Sequence, residues 1–521
     1  MALSVKKIAI IGGGPSGLVA LNEFLHTSSD GSSTITSFKT VENVLPKSPA
    51  FDEVVVFEQN SDIGGVWSHN NEIDDKLPES KDFLSPRNIR PALSCPTEEE
   101  LLNHSKENPL IKQSEPVNKD KLWSRSAVYD HLFTNVPNRL MRFSSGFDIE
   151  VEGTDEKSNI FYPFVPHVKV LEYLKKYAEI NDLKKYVRFN TVVEKVYKKG
   201  EKWVVTVVEV DFLTGTQKWY SELFDAVVCS VGRFNVPFIP NIENLDKFKA
   251  AHPGIISHTK SYRNSEEFKN KKVLLVGGSI SAIDLLQYFL GSSKEVWLST
   301  NSSNVASPEG DDWISQILND KSLSINKCPR IKKFEGDNVI FEDGSIGEGF
   351  DKILFATGYH LTYPFLDIPE NKGKGYISIS SGRDDQPNYA KTKVDNVYYY
   401  TFTVGEPTLA HIGILQNPLF FLVSEVNSAA MAGVWSNSKK LPSIEEQKKW
   451  CEDRIKGKKS GFQFFDENSI IPYIKSIYQF TPRNRLDILS ILKKDEVLAS
   501  RKVLKTLFYK YATRELDEND E

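Results

Sequence analysis

Two observations predict an α/β chain built as two Rossmann-like units, with the second inserted into a discontinuous first. The run Lys6–Ile11 is short, apolar and rich in β-branched residues; it stops at Gly12, and a helical pattern (Leu18, Leu21, Leu25) opens within a few residues. Val273–Val276 does the same and stops at Gly277. A third observation sets the order of the units. Asp225–Gly232 and Asp351–Gly358 are each a buried strand pattern ending in glycine, and read as the two crossings between units. Pro237 and Pro240 beyond the first of these suit a linker.

The first turn, Gly12-Gly13-Gly14-Pro15-Ser16-Gly17, has the Gly-x-Gly-x-x-Gly spacing of a dinucleotide-binding loop. Gly12 permits the tight turn, Gly14 lets backbone approach a pyrophosphate, and Gly17 lets helix pack on strand. The helix start then offers unpaired N–H groups to an anion. The next strand, Val54–Phe57, ends in Glu58, where a carboxylate is expected to meet a ribose hydroxyl. Glu58 lies 41 residues after Gly17, against about 20 in the usual spacing. The polar stretch His26–Pro49 accounts for the excess as a surface insertion. Ile63-Gly64-Gly65-Val66-Trp67 follows, a glycine turn beside a broad apolar side chain; a ligand contact and a turn with a core tryptophan suit it equally.

Bulk properties narrow the class. At 521 residues the chain exceeds one core. Its 40% apolar and 26% charged content is that of a globular protein, and a net charge of −5 gives no nucleic-acid footprint. Cys95, Cys229, Cys328 and Cys451 are scattered without a Cys-x-x-Cys, which argues against a metal site or a dithiol centre and suits a reducing compartment. No apolar run approaches the ~20 residues that span a bilayer, and a strand begins too early for a signal peptide. A cytoplasmic protein is expected.

Further along, 68–121 is polar and broken by six prolines, and reads as a long irregular insertion with one short helix near Glu98–His104. A helix is expected over Val168–Ala178, strands at Val187–Phe189 and Val192–Val196, and a hairpin from Trp203–Val210 and Gln217–Tyr220. The second turn is Gly277-Gly278-Ser279-Ile280-Ser281-Ala282, with Ser279 and Ala282 in place of glycines. Its next strand, Glu295–Leu298, ends in Ser299-Thr300-Asn301-Ser302-Ser303 without an acid, which leans towards NADP(H). The usual arginine is missing there, and Lys260, Arg263 or Lys294 are the candidates to replace it. Two such turns in one chain describe a protein that holds two nucleotides face to face, with hydride passing from a nicotinamide to a flavin. A long helix is expected from Leu419 to Val434, another capped by Ser443 and Glu446, and a helical tail from Arg483. In the tail Leu504, Leu507, Phe508 and Tyr511 share one face, apart from the basic Arg501, Lys502, Lys505 and Lys510; a docked helix with a solvated basic face is expected ahead of a membrane-surface helix.

The motifs in order resemble the flavin-containing monooxygenases, nearest to the fungal ones. They are Glu58…Gly64-Gly65-Val66-Trp67, Thr134-Asn135 with Leu140-Met141, His252-x-Gly254-x-x-x-His258-x-x-x-Tyr262, Ala356-Thr357-Gly358-Tyr359 and Pro407-Thr408-Leu409-Ala410. In the third, His252 stands where the family has Phe. Related Baeyer–Villiger enzymes end it in Trp-Pro, and Tyr262-Arg263 favours heteroatom oxidation instead.

The resemblance implies FAD and NADPH as cofactors, O₂ and a small nucleophile (thiol, sulfide or amine) as partners, and oxygen transfer through a flavin C4a-hydroperoxide in a site that excludes water. It implies an FAD domain over 1–236 and 349–521, with insertions at about 27–50 and 70–121, and an NADPH domain over 237–348. It places Asn135 beside the flavin as the catalytic amide. FAD contacts are then expected from Ser16, Gly65, Val66, Trp67, Thr134, Val136 and Gln416, besides the first turn and Glu58. NADPH contacts are expected from Ser281, Asp284, Ser299 and Thr300, besides Gly277, Ser279 and Ala282. His258 and Tyr262 are assigned to packing. His167 and His411 have no assigned partner. The resemblance admits a homodimer and a peripheral location at the endoplasmic reticulum. The rival readings are an NADPH oxidase, a pyridine-nucleotide:disulfide reductase, a Baeyer–Villiger enzyme and a nucleotide-binding regulatory protein without turnover.

Overall fold

The computed structural model describes residues 3–38, 42–74, 77, 95–114, 123–151, 159, 161–300, 313–366, 379–381, 392–456, 463–493 and 496–517. Much of the 70–121 insertion, and Asn301–Ser303 after the second turn, lie outside these residues.

In chain order, the elements that build the site begin with β1 (Lys7–Ile11), α1 (Pro15–Leu25), β2 (Glu53–Phe57) and β3 (Ala226–Cys229). They continue with β4 (Lys272–Val276), α2 (Ile280–Ser292), β5 (Glu295–Ser299) and β6 (Lys352–Phe355). Strand β7 (Glu406–His411), α3 (Phe420–Trp435) and α4 (Glu496–Ala512) complete the set.

Two sheets carry them. The first has seven strands in the order Val397–Tyr398, Phe402–Thr403, β7, β3, β1, β2, Val187–Arg188, and β7 through Val187–Arg188 run parallel. The second has five parallel strands in the order Ile256–His258, β6, β4, β5, Ile325–Cys328. Val273 and Leu275 of β4 face one buried cluster while Leu274 and Val276 face another. A sheet covered on both sides calls for continuously apolar strands, and this is why the runs show no alternation. The expected hairpin belongs to a separate antiparallel sheet, in which Lys202–Val210 pairs with Thr216–Phe224 and Thr191–Lys199.

The units meet through a short antiparallel ribbon in which Tyr359 and His360 pair with Pro237 and Val236. Strand β6 pairs with β4 in the second sheet, so that sheet runs on to Phe355 and the return crossing lies at Tyr359–His360, beyond the expected boundary at 348/349. The terminal helix also departs from expectation. Leu504, Leu507, Phe508 and Tyr511 of α4 are buried in the core of the second sheet, although the sequence assigned 349–521 to the first unit. The helix starts only at Glu496, because 483–493 is irregular apart from a single turn at Ile488–Ile491. Its apolar face is thus occupied, and Arg501 and Lys505 bond inward to Asn135 O and Gln316 Oε1.

Helix α3 is buried nearly all round and mostly apolar, and its buried polar residues Glu425 and Ser428 are paired. It packs against α1, with Phe24 stacked on Trp435 at 5.3 Å. Under this pair lies a charged network: Arg485 donates to Glu23 and Glu425 at 2.7 and 2.6 Å, all three fully buried. Ser144 N–H and Oγ also donate to Glu425. Burial raises the Glu23 carboxyl while Arg485 opposes that rise, and the two carboxylates hold Arg485 protonated. The 27–50 insertion lies at the surface as expected, with most of 42–49 exposed, but its first half is anchored. Ile35 and Thr27 are fully buried, and its backbone bonds to Arg483 and Leu486 of the tail. Among the described residues no helix is long and apolar enough to cross a membrane.

Candidate nucleotide sites

Both glycine turns lie at the carboxyl ends of central parallel strands, where open α/β sheets receive ligands. The first is held by its neighbours. Gly12 has φ +107, and a Cβ there would stand 2.7 Å from Ser230 O; a Cβ on Gly17 would stand 1.9 Å from Gly12 O. These two glycines are demanded by the fold. Gly14 is not: its φ is −75, and a Cβ would find its nearest contact, Gly65 Cα, at an ordinary 3.5 Å. Approach by a bound group remains the reason for glycine at this point, so the turn fits a pyrophosphate. No side chain caps α1 and its first turn holds no acid, whereas Thr97, Ser443 and Asp466 each form a capping box on other helices. The first N–H groups of α1 are thereby left to an anion.

Glu58 ends β2 as expected and is buried, accepting Gly13 N–H at 2.6 Å and Asn60 N–H at 2.8 Å. Burial raises its carboxyl while those N–H groups pull it down. A carboxylate has further lone pairs for ribose hydroxyls. Gly65–Trp67 forms a single turn laid on Gly14, where a Cβ on Gly65 would stand 3.0 Å from Gly14 Cα. Val66 O accepts Ser126 Oγ–H, and Trp67 packs on the first core. Ser16 is buried and shares a hydrogen bond of 3.2 Å with Ser424.

Thr134 pins the next loop: its N–H donates to Val165 O at 2.9 Å and its hydroxyl to Val136 O at 2.9 Å, while Val136 is buried. Asn135 between them is exposed, so it is not a core amide. Gln416 is exposed too, its N–H and C=O paired with Gln463 and Phe465.

The second turn repeats the design with larger residues. Gly277 has φ +133, and a Cβ would stand 2.5 Å from Ala356 O. Ser279 is exposed at the N-cap of α2, and its hydroxyl makes no capping bond. Ala282 is buried with its methyl, and Ser281 is half-buried. Thr300 stands beside Gly278, where a Cβ would meet its Cγ2 at 2.9 Å. Two expected contacts point elsewhere. Ser299 is buried and donates to Pro329 O at 2.8 Å. Asp284 accepts from Tyr129 Oη, and burial pushes its carboxyl up to about 6.

The substitute cations for a 2′-phosphate are also engaged or misplaced. Lys260 is buried against Asp74 at 2.6 Å, and desolvation pulls it down to about 8 despite that partner. Arg263 donates to the carbonyls of Asn70, Glu72, Ser126, Lys260 and Tyr262. Lys294 precedes β5, at the opposite end of the strands from the turn.

The remaining histidines have partners. Nε2 of His167 meets Asp130 O at 3.3 Å, and burial pulls it down to about 4. Nε2 of His411 meets Thr403 Oγ1 at 3.2 Å, and burial pulls it down to about 3. His258 and Tyr262 are buried in packing, as expected; His252 lies against Phe248 at 4.5 Å and Asp337 at 3.0 Å. All four cysteines are free, with Cys229, Cys328 and Cys451 buried, and no group of side chains among the described residues suits a metal ion. Sequence reasoning missed Tyr129 as a partner of Asp284; its one local signal is its place six residues before Asn135.

Two uncapped glycine turns on two linked sheets are the layout of a protein with two dinucleotide sites. Residues 117–314 and 309–509 match the family model described as flavin-binding monooxygenase-like, and the chain belongs to that family. It is 28% identical to flavin-containing monooxygenase FMO GS-OX-like 9 of Arabidopsis thaliana over 85% of this chain and 78% of that one. It is 26% identical to flavin-containing monooxygenase iboF of Amanita muscaria, over 88% and 84%. Its fold is similar to that of S-allyl-L-cysteine S-oxygenase from Allium sativum, with a TM-score of 0.66 over 100% of this chain and 96% of that one at 22% identity. The chain is thus a monooxygenase that uses FAD and NADPH.

Proposed function

We propose that this enzyme transfers one atom of O₂ to a small soft nucleophile, at sulfur or nitrogen, with FAD at the Gly12–Gly17 turn and NADPH at the Gly277–Ala282 turn. The observation that carries the assignment of the first site is Gly14, a glycine that chain geometry does not require, at an uncapped helix start. The similar structure named an S-oxygenase supports the sulfur reading, and the relatives named senecionine N-oxygenase and trimethylamine monooxygenase support nitrogen. Flavin, when bound and reduced by NADPH, supplies the electrons that leave one oxygen atom on the nucleophile and the other in water.

The chain's own residues bind and shelter. Backbone N–H groups of α1 and α2 hold pyrophosphates, Glu58 accepts ribose hydroxyls, and Ser279 donates its free hydroxyl to phosphate. The Val66–Trp67 turn and the buried Val136 keep water from the reacting face. Asn135 presents an amide that donates and accepts without titrating across the working pH range. The FAD unit takes in residues up to about 236 and from about 359 to 493, with the intervening unit and α4 on the NADPH side.

The test is a panel of thiols, sulfides and amines scored for oxygenated product per NADPH. Product near one per NADPH for a sulfur or nitrogen compound is expected, and release of stoichiometric peroxide with every compound would reduce the enzyme to an oxidase. Asn135→Ala is expected to keep FAD while product per NADPH falls. Unchanged product per NADPH would remove Asn135 from the site.

A further inference from the structure

The loop that carries Asn135 belongs to the first unit by sequence order but packs into the second. Tyr129 and Phe133 lie in the same buried cluster as Ala282, Leu285 and Tyr288 of α2 and Leu504 and Phe508 of α4. Within it Tyr129 meets the rings of Tyr262 and Tyr288 edge-on at 5.3 and 6.2 Å. Its hydroxyl donates to Asp284 Oδ2 at 2.5 Å. Asp284 lies two residues beyond Ala282, just past the first turn of α2, whose uncapped start is the proposed second nucleotide site. From the other side Arg501 of α4 donates to the carbonyl of Asn135 at 3.2 Å. Helix α4 is itself seated on α2: Tyr288 and Tyr511 rings lie 5.0 Å apart, and a Cβ on Gly291 would stand 2.8 Å from Tyr511 O.

We propose that the second unit positions Asn135 through two anchors, the Tyr129–Asp284 hydrogen bond and the Arg501 bond to the Asn135 carbonyl. Occupancy of the nicotinamide nucleotide site then sets where the amide stands on the flavin side. The inference rests on the role given to Asn135 above, and the chemistry of each anchor supports it. A phenol donating to a partly buried carboxylate is a charge-assisted bond, short and directional. A guanidinium on a backbone carbonyl fixes the main chain from which the Asn135 side chain projects. Phe133 and Thr134 join the two, so a shift of α2 on binding phosphates is passed to Asn135 through packed groups with little slack. The three side chains are positioning residues, and none is assigned contact with substrate.

Amide hydrogen exchange of the peptide over 130–136, on FAD-loaded enzyme with and without NADP⁺, tests the proposal. NADP⁺ is expected to slow exchange there about tenfold in the native chain. The slowing is expected to vanish in Tyr129→Phe, and to fall to about half in Arg501→Ala with recovery in Arg501→Lys. NADP⁺ is held at saturation for each variant by titration, and melting temperature with FAD content shows that each is folded. Asp284→Ala serves as a second break of the first anchor. Full NADP⁺ protection in both Tyr129→Phe and Asp284→Ala would overturn the proposal. Product per NADPH, measured on the same samples, separates the two readings. If Asn135→Ala leaves that ratio unchanged while the exchange result holds, the role of Asn135 fails and the anchoring stands. If Tyr129→Phe lowers the ratio by the same factor in the native and Asn135→Ala backgrounds, the anchors do not act through Asn135.

Discussion

The two glycine turns solve one problem with different tolerances. At the first, α1 lies so close to β1 that a Cβ on Gly17 would stand 1.9 Å from Gly12 O. At the second, Ala282 fits its methyl in the same position and is fully buried. At the middle position of the turn, where the proposal puts the phosphates, stands Gly14 in one and the exposed Ser279 in the other. The end of the following strand differs as well: Glu58 accepts Gly13 N–H, whereas Thr300 offers Gly278 a methyl. The first turn grips with backbone and a carboxylate; the second is looser and presents a hydroxyl. A tight turn suits a cofactor that stays through turnover, and a looser one suits a nucleotide that is exchanged.

The largest effect expected from this contrast is on folding. Gly17→Ala should prevent accumulation of folded protein, because backbone must move to admit the methyl. The mirror change Ala282→Gly should cost only about 1 kcal/mol, the ordinary helix penalty of glycine; comparable melting temperatures for the two variants would show that the spacing of α1 is not as described. Next comes Gly14→Ala, which should fold with little loss of stability yet retain less than about a tenth of the native FAD content, a loss of a few kcal/mol in binding. Native FAD content in that variant would return Gly14 to a role in the turn alone.

A third prediction concerns Asp284. Its carboxyl is raised to about 6 in the folded chain, from 3.8. A raised folded value means that stability is present at low pH and is lost as pH rises from about 4 through 6. Asp284→Asn should therefore raise stability at pH 8 by about 1–2 kcal/mol and leave it little changed at pH 4. Denaturant melts at the two pH values check this, and a variant destabilised equally at both would contradict it. The smallest effect is Ser279→Ala, which removes one hydrogen bond to phosphate and should weaken NADPH binding about three- to tenfold without touching FAD content.

The sequence made β1, β2, β4 and β5 legible because a strand buried on both faces leaves an uninterrupted β-branched run, and glycine marks where it stops. It also marked the glycine turns, Glu58 and the exposed Asn135. What it concealed was pairing between distant residues. Nothing local tells Lys260 that Asp74 neutralises it, or Arg485 that Glu23 and Glu425 wait beneath α1 and α3. The sequence therefore offered Lys260 and Arg263 as phosphate ligands when both are committed to other groups. The terminal helix showed its apolar face plainly, but an apolar face does not say which core it enters.

Crosswise titration tests the assignment of two nucleotides to two turns most directly. Apoprotein of Gly14→Ala and of Ser279→Asp is titrated with FAD and with NADP⁺, following flavin fluorescence and heat of binding. Gly14→Ala should lose FAD and keep NADP⁺, while Ser279→Asp, with a carboxylate set against phosphate, should lose NADP⁺ and keep FAD. Loss of both nucleotides in either variant, or of neither, would contradict the account.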